Sequence, residues 1–468
     1  MDGLRKLPAE LLLKVIKNID DKKFLSGLAL SKHLHDFATE QLYRHVKLTD
    51  KNMANFLWAL TEKAELRKYI KSIEFVYRGE TPGYSCISPH FISSSRSMQM
   101  RARAIDLAKA ANIPPSLPSL DAAISYNECH HRHNNTNVSD WTEHWCCDLL
   151  EGCYDAVFAV ILTLVEKVEV LDLSTIGLWC HVVAEAAIIT DSPAIQKFVH
   201  LREISVANLQ SDFGGYLPWF HMPNLVNFTG SSLTMDTYPY LPSLPLLVSS
   251  KLKSVRLLRC ADPDDWSLFQ TNLGPRPPLE DVTFELYTDG PQFLGALRSL
   301  TYYSPTLRRF ECDEMGDGDF QAHYYEIKWP SFSPFNNLAV LTVDTRMLLS
   351  DEPECAPLLP GLLPPSLESL ELRKWDFDDM RSYLPLAAHV DALLSAVSYG
   401  NFPELKDVSI SFAPDTWGYQ YEDLRSAAAF RSKSEQTSWK EKFETAGVTF
   451  TLVGLEERIS YITQYLRD

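Results

Sequence analysis

The sequence predicts an α/β solenoid, a curved parallel sheet of short strands with helices on its convex side, behind a short all-helical N-terminal module. Three observations point there. A leucine-like residue, two variable residues and an apolar-x-apolar triplet recur nine times between Val168 and Ile410. Helical apolar stripes fill several of the intervals between those hits. The composition is that of a folded chain: 468 residues, 45% apolar and 22% charged, enough apolar surface to offset chain entropy.

The strand template reads Val168–Leu173, Leu201–Val206, Leu225–Phe228, Leu252–Leu257, Leu279–Phe284, Leu307–Cys312, Leu338–Val343, Leu367–Leu372 and Leu405–Ile410. An earlier stretch, Ile70–Phe75, fits the same template. The nine first residues are 33, 24, 27, 27, 28, 31, 29 and 38 apart. Leucine-rich repeats run about 20–29 residues, one strand plus a helix or turn each, so this is an irregular leucine-rich-repeat solenoid. Pro or a short polar loop often precedes a strand, as at Pro364-Pro365-Ser366, and Asp155–Val165 and Val390–Ser398 read as intervening helices.

Stacked repeats share one core, and alternation along each strand sends every second residue to the other face. The leucine and apolar positions then point inward. Asp172, Ser205, Asn227, Arg256, Thr283, Glu311, Thr342, Glu371 and Ser409 are expected as one row on the concave face. That row is polar and mixed in sign, with no basic stripe and no aromatic ladder. It suits protein recognition better than nucleic acid; for any single position, a solvated sheet face is the plainer account.

Two stretches interrupt the array. Residues 78–140 are rich in Ser, Pro, His and Asn and separate the Ile70 and Val168 strands by 98 positions. This reads as an insertion or long loop, with a short basic helix over Arg101–Ala111. Asp415–Trp439 reads as a polar loop. A cap over residues 440–468 then closes the array: a helix at Lys440–Ala446, a strand at Val448–Val453 and a last helix at Glu456–Leu466. Without it the final repeat would expose its core edge.

Residues 1–50 form a separate helical module before the solenoid of 51–468. Pro8 stands where a first helical turn tolerates a missing N–H. Leu11, Leu12, Val15, Ile16 and Ile19 then fall on one stripe. A second helix runs through Phe24, Leu25, Leu28 and Leu30. Ser31 suits the N-cap of a third, whose Leu34, Phe37, Ala38 and Leu42 share a face. Three helices in so short a stretch bury little surface, so the module is expected to dock on something.

The series Leu7-Pro8-Ala9-Glu10-Leu11-Leu12, Ser31-Lys32 and Leu42-Tyr43-Arg44-His45-Val46-Lys47-Leu48 resembles an F-box of the fungal kind. The match covers Leu4 to about Leu48, with Leu34 standing where many F-boxes carry Trp or Phe. Asp155–Leu173 looks like the helix-then-strand unit of fungal F-box proteins with degenerate leucine-rich repeats. The resemblance implies a substrate-recognition subunit of a Skp–cullin–F-box ubiquitin ligase. Leu7, Pro8, Leu11, Ile16, Leu25 and Leu28 would face the Skp-type adaptor, a cullin would join through that adaptor, and the concave face would hold an unknown target. The alternative is a repeat scaffold outside the ubiquitin pathway whose first helices only cap the array.

Composition narrows the partners. Lys and Arg number 44 against 61 Asp and Glu, a net charge of −17, which argues against nucleic acid and against an anionic membrane surface. No apolar run near Met1 makes a signal peptide and none spans a bilayer. Nine scattered cysteines fit reduced thiols, so the cytoplasm or nucleus is expected and the sequons at Asn134, Asn137 and Asn227 carry nothing.

Candidate chemistry is thin. Cys129, His130, His131, His133, His144, Cys146, Cys147 and Cys153 are zinc-type ligands at spacings that match no zinc pattern. Asp313, Glu314, Asp317 and Asp319 do not follow an EF-hand order and read as a solvated turn. No nucleophile elbow, phosphate loop, dinucleotide fingerprint or HExxH occurs. The expectation is therefore no enzyme activity, no cofactor and no metal.

Overall fold

A computed structural model describes residues 34–49, 51–76, 95–111, 141–151, 153–173, 198–209, 222–233, 251–261, 277–287, 300–314, 331–348, 357–375, 383–412 and 433–453, with residues 26, 180, 183, 184, 186, 187 and 219 singly. The chain divides into two compact units, 1–252 with 273–277 and 253–272 with 278–468. Both are α/β, and both hold parallel strands in chain order.

In the first unit, α1 (His35–Arg44) runs directly into β1 (His45–Thr49). Then come α2 (Met53–Glu62), a 3₁₀ turn at Ala64–Tyr69 and β2 (Ser72–Val76). Three helices follow, α3 (Ser95–Ala111), α4 (Trp141–Glu151) and α5 (Tyr154–Leu164). Strands β3 (Val170–Leu173), β4 (Glu203–Leu209) and β5 (Asn227–Leu233) complete the unit. The sheet thus begins inside the stretch read from sequence as a helical module. His45-Val46-Lys47-Leu48-Thr49 alternates and is rich in β-branched residues, and it pairs in parallel with Ser72–Val76.

The second unit contains β6 (Ser254–Ala261), β7 (Asp281–Tyr287), β8 (Arg309–Glu314) and β9 (Val340–Asp344). Two one-turn helices, α6 (Thr345–Leu348) and α7 (Leu359–Leu362), precede β10 (Ser369–Trp375). After it come α8 (Tyr383–Ser398), β11 (Asp407–Phe412), α9 (Lys433–Thr445) and β12 (Thr449–Val453). The strand over Val448–Val453 is therefore present, whereas the helix before it starts seven residues earlier than the sequence suggested. Residues 433–439, read as polar loop, form its first turns. The last predicted helix, 456–466, lies outside the described residues.

Most strands are laid down by the same device. A backbone N–H one residue past the leading leucine donates to the equivalent carbonyl of the previous repeat: Glu169 to Lys71, Arg202 to Glu169 and Val226 to Arg202 in the first unit, at 2.7 to 2.8 Å. In the second unit the relay runs Lys253, Glu280, Arg308, Ala339, Glu368, Lys406 and Thr449, at 2.7 to 2.9 Å. Side chains reinforce it. Asn224 donates to the Val199 carbonyl, Thr306 to Leu279 and Ser366 to Leu338. The turn before five of the leucines adds an apolar anchor the template lacked, three or four residues upstream: Phe198, Met222, Tyr303, Phe335 and Phe402, all buried, accept the turn hydrogen bond.

The leading residues and both apolar positions of the triplet form the core. Ile73, Leu171, Ile204 and Phe228 are buried in the first unit, and Val255, Val282, Phe310, Leu341, Leu370 and Val408 in the second. All of α5 beyond Tyr154 is buried, and Phe75 stacks on Phe158 with ring centroids 4.9 Å apart. Fully burying one such ring contributes about 1.5–3 kcal/mol. At the other end Phe443 of α9 stacks on Phe450 at 4.8 Å. Both α8 and α9 stop at a glycine in the left-handed region, Gly400 at φ 78 and Gly447 at φ 81. The next N–H of each reaches back to Ala396 or Phe443, as helix-ending left-handed glycines do.

The inserted stretch is more ordered than a loop in its described part. α3 spans 17 residues, and Met100, Ala104 and Ala108 are buried on one stripe. Arg103 pairs with Glu62 and lies over the Trp58 ring at 5.4 Å, while Arg101 donates to the Leu150 carbonyl. Among the described residues no helix is long and apolar enough to cross a membrane.

Candidate protein-binding face

Parallel register converts the template into a surface. In the first unit Lys47, Glu74, Asp172, Ser205 and Thr229 are successive partners across β1 to β5. In the second, Arg256, Thr283, Glu311, Thr342, Glu371, Ser409 and Thr451 are successive partners across β6 to β12. Eight of the nine expected residues therefore occupy equivalent row positions within their units.

Asn227 does not. It pairs with Glu203, one step back along the strand, and its amide donates to the Glu203 carboxylate at 3.2 Å. The row position belongs to Thr229, because the template around Leu225 ended at Phe228 and its last polar residue, Asn227, stands two places too early. Two further row residues differ from a solvated face. Thr283 and Thr342 are only 8% and 6% exposed. The longer Glu311 and Glu371 flank Thr342 on the strands either side, and its hydroxyl donates to Glu371 at 3.4 Å.

In the first unit the row is loosely paired. Lys47 salt-bridges Glu74. Asp172, next along, has its pKa raised, first by crowding that costs its charge solvation and then by the field of Glu74. Lys47 and a hydrogen bond from Ser205 offset this in part.

The second unit is organised around Arg373, a residue the template missed. It stands two places beyond Glu371 on β10, so the two-residue period of a strand puts it on the same face. Its guanidinium lies 2.9 Å from Glu311, 3.0 Å from Glu371 and 3.9 Å from Asp313. Burial opposes its charge, but the bonds and fields of Glu371 and Glu311 outweigh this and hold its pKa above the usual arginine value. Asp313, read from sequence as part of a solvated acidic turn, is thus held by a guanidinium. Asp317 and Asp319 lie outside the described residues.

The strand starts carry a second, simpler set of charges. Lys71 and Glu169 meet at 2.6 Å, Lys253 and Glu280 at 2.8 Å, and Lys406 and Glu368 at 2.6 Å. The Lys71 hydrogen bond holds Glu169 below the usual carboxylate range. Exposed pairs of this kind add little to stability.

Among the described residues, the side chains of the row are hydrogen-bonding and charged. The proposed adaptor residues Leu7, Pro8, Leu11, Ile16, Leu25 and Leu28 lie outside the described residues, as do Ser31, Cys129, His130, His131 and His133. Cys146 and Cys153 are buried and Cys147 is exposed. Among the described residues no group of three or more His, Cys, Asp or Glu is placed to hold a metal. No protein-family model matches the chain, and no curated protein matches it.

Proposed function

We propose that this chain is the target-recognition subunit of a Skp–cullin–F-box type ubiquitin ligase. Its N-terminal helices dock the Skp-type adaptor through Leu7, Pro8, Leu11, Ile16, Leu25 and Leu28. The polar row holds a target protein, and ubiquitin transfer is carried out by partners that the adaptor and cullin bring. The observation that carries this reading is the ordered F-box-like series from Leu7 to Leu48 running straight into a parallel repeat sheet with a mixed-sign polar face.

A second reading is favoured by α1. Leu34 and Ala38 are 1% and 0% exposed, and β1 follows α1 without a break. The N-terminal helices would then cap the first unit, and the chain would be a repeat scaffold outside the ubiquitin pathway. Co-purification with a Skp-type adaptor separates the two, using wild type beside Leu7→Glu/Pro8→Glu. A stoichiometric complex lost in the variant supports the ligase subunit. Full adaptor binding by the variant, or none by a folded wild type, overturns it.

A further inference from the structure

The polar face of the second unit is unevenly charged. Along β7 to β10, Glu285, Glu311, Asp313, Glu371 and the buried Asp344, register partner of Arg373, set five carboxylates against the one guanidinium of Arg373. Nearer the strand starts the balance differs: Asp281 lies 3.5 Å from Arg256 and is the register partner of Arg309. The deficit of positive charge is therefore local. It is also open to a partner, since 28% of the Glu311 side chain, 24% of Asp313 and 36% of Glu371 remain exposed. Glu285 is the register partner of Asp313, and no ion pair to it is seen among the described residues.

We infer that this stretch of sheet face docks a cationic segment of the target protein, an extended stretch whose arginine or lysine joins Arg373 among the carboxylates. The inference rests on the reading of this face as the target-binding surface and adds the chemistry of the target. Charge complementarity selects the occupant. Carboxylates on neighbouring strands, about 4.8 Å apart, repel one another, and a second cation among them removes that repulsion. A single metal ion does not fit the same pattern. A calcium-type shell draws its oxygens to about 2.3–2.6 Å, whereas these carboxylates are spread over four strands and three of them lie within 4 Å of a guanidinium. An acidic segment or a nucleic acid would meet like charge. A polypeptide lying across the strands can present one cation to the carboxylates and its backbone to the half-buried Ser409.

The test uses the full chain and two labelled peptides, one of alternating arginine and serine and one of alternating glutamate and serine. Wild type is expected to bind the first and not the second. Glu285→Gln/Glu311→Gln should weaken binding about tenfold, the usual scale for a desolvating charge contact. Glu441→Gln/Glu444→Gln, on exposed positions of α9, makes the same change in net charge and should alter binding less than about twofold. Equal losses in both pairs would mean diffuse attraction to an acidic chain, and no binding of either peptide would overturn the inference outright. Should the Glu311 change unfold the protein, Glu285→Gln alone decides: weaker binding supports the site, unchanged binding overturns it. Adaptor co-purification is unaffected by any of these outcomes, so failure here and failure of the ligase reading are told apart.

Discussion

The polar faces of the two units follow the same two-residue strand period and differ in their electrostatics. In the first, Lys47 is committed to Glu74 and Asp172 is left with a raised pKa. In the second, Arg373 gathers Glu311, Glu371 and Asp313 from two strands. The repeat template dictates which backbone positions face outward. What each position does depends on the length and charge of side chains one strand away, which no single repeat contains.

The largest effect expected is on the register itself. Phe310 is fully buried between Phe284 and Phe332, at 6.0 and 5.4 Å. Phe310→Ala should cost about 3–5 kcal/mol in chemical denaturation of the second unit and scatter its row. An unchanged midpoint would mean that the core does not hold the face.

Next, Arg373→Ala leaves three carboxylates together on a half-buried face and should cost about 1–3 kcal/mol. Lys47→Ala breaks an exposed pair and should cost less than about 1 kcal/mol. Similar losses would erase the difference between the two faces.

His389 sharpens the contrast between titrating groups. It is wholly buried, its Nδ1 accepts the Leu359 N–H at 3.1 Å, and burial lowers its pKa. The unfolded chain therefore takes up the proton first, so stability is full above the ordinary histidine value near 6.5 and declines as pH falls below it. His389→Asn, which keeps an acceptor without a titrating ring, should flatten that decline. A pH profile identical to wild type would count against it.

Smallest is Asp172, whose folded pKa lies above its unfolded value. Its carboxylate disfavours the fold at neutral pH, and that cost fades as the pH drops through the aspartate range. Asp172→Asn should stabilise the chain at pH 7 by only a few tenths of a kcal/mol after solvent screening. Below both pKa values the gain should vanish in thermal melts.

Strands were legible wherever leucine, triplet and turn all fell close together. They were less so where a repeat bent the pattern. Strand β1 was hidden because His45–Leu48 also completes the F-box-like series, and Leu225-Val226-Asn227-Phe228 ended one residue short of the row. Arg373 was within reach of the two-residue period, but its role needed Glu311, 62 positions away in sequence. The helix over 95–111 was half seen, since its buried stripe of Met100, Ala104 and Ala108 is made of small or flexible side chains with weak apolar contrast.

The central claim is that one end of the chain holds the ligase and the polar face holds the target. One co-purification tests it, with adaptor and bound proteins both quantified for Leu7→Glu/Pro8→Glu and for Arg256→Glu/Glu311→Arg. The expected result is that the first variant loses the adaptor and keeps the target, while the second keeps the adaptor and loses the target. Retention of the adaptor by the first variant, or of the target by the second, would contradict the account.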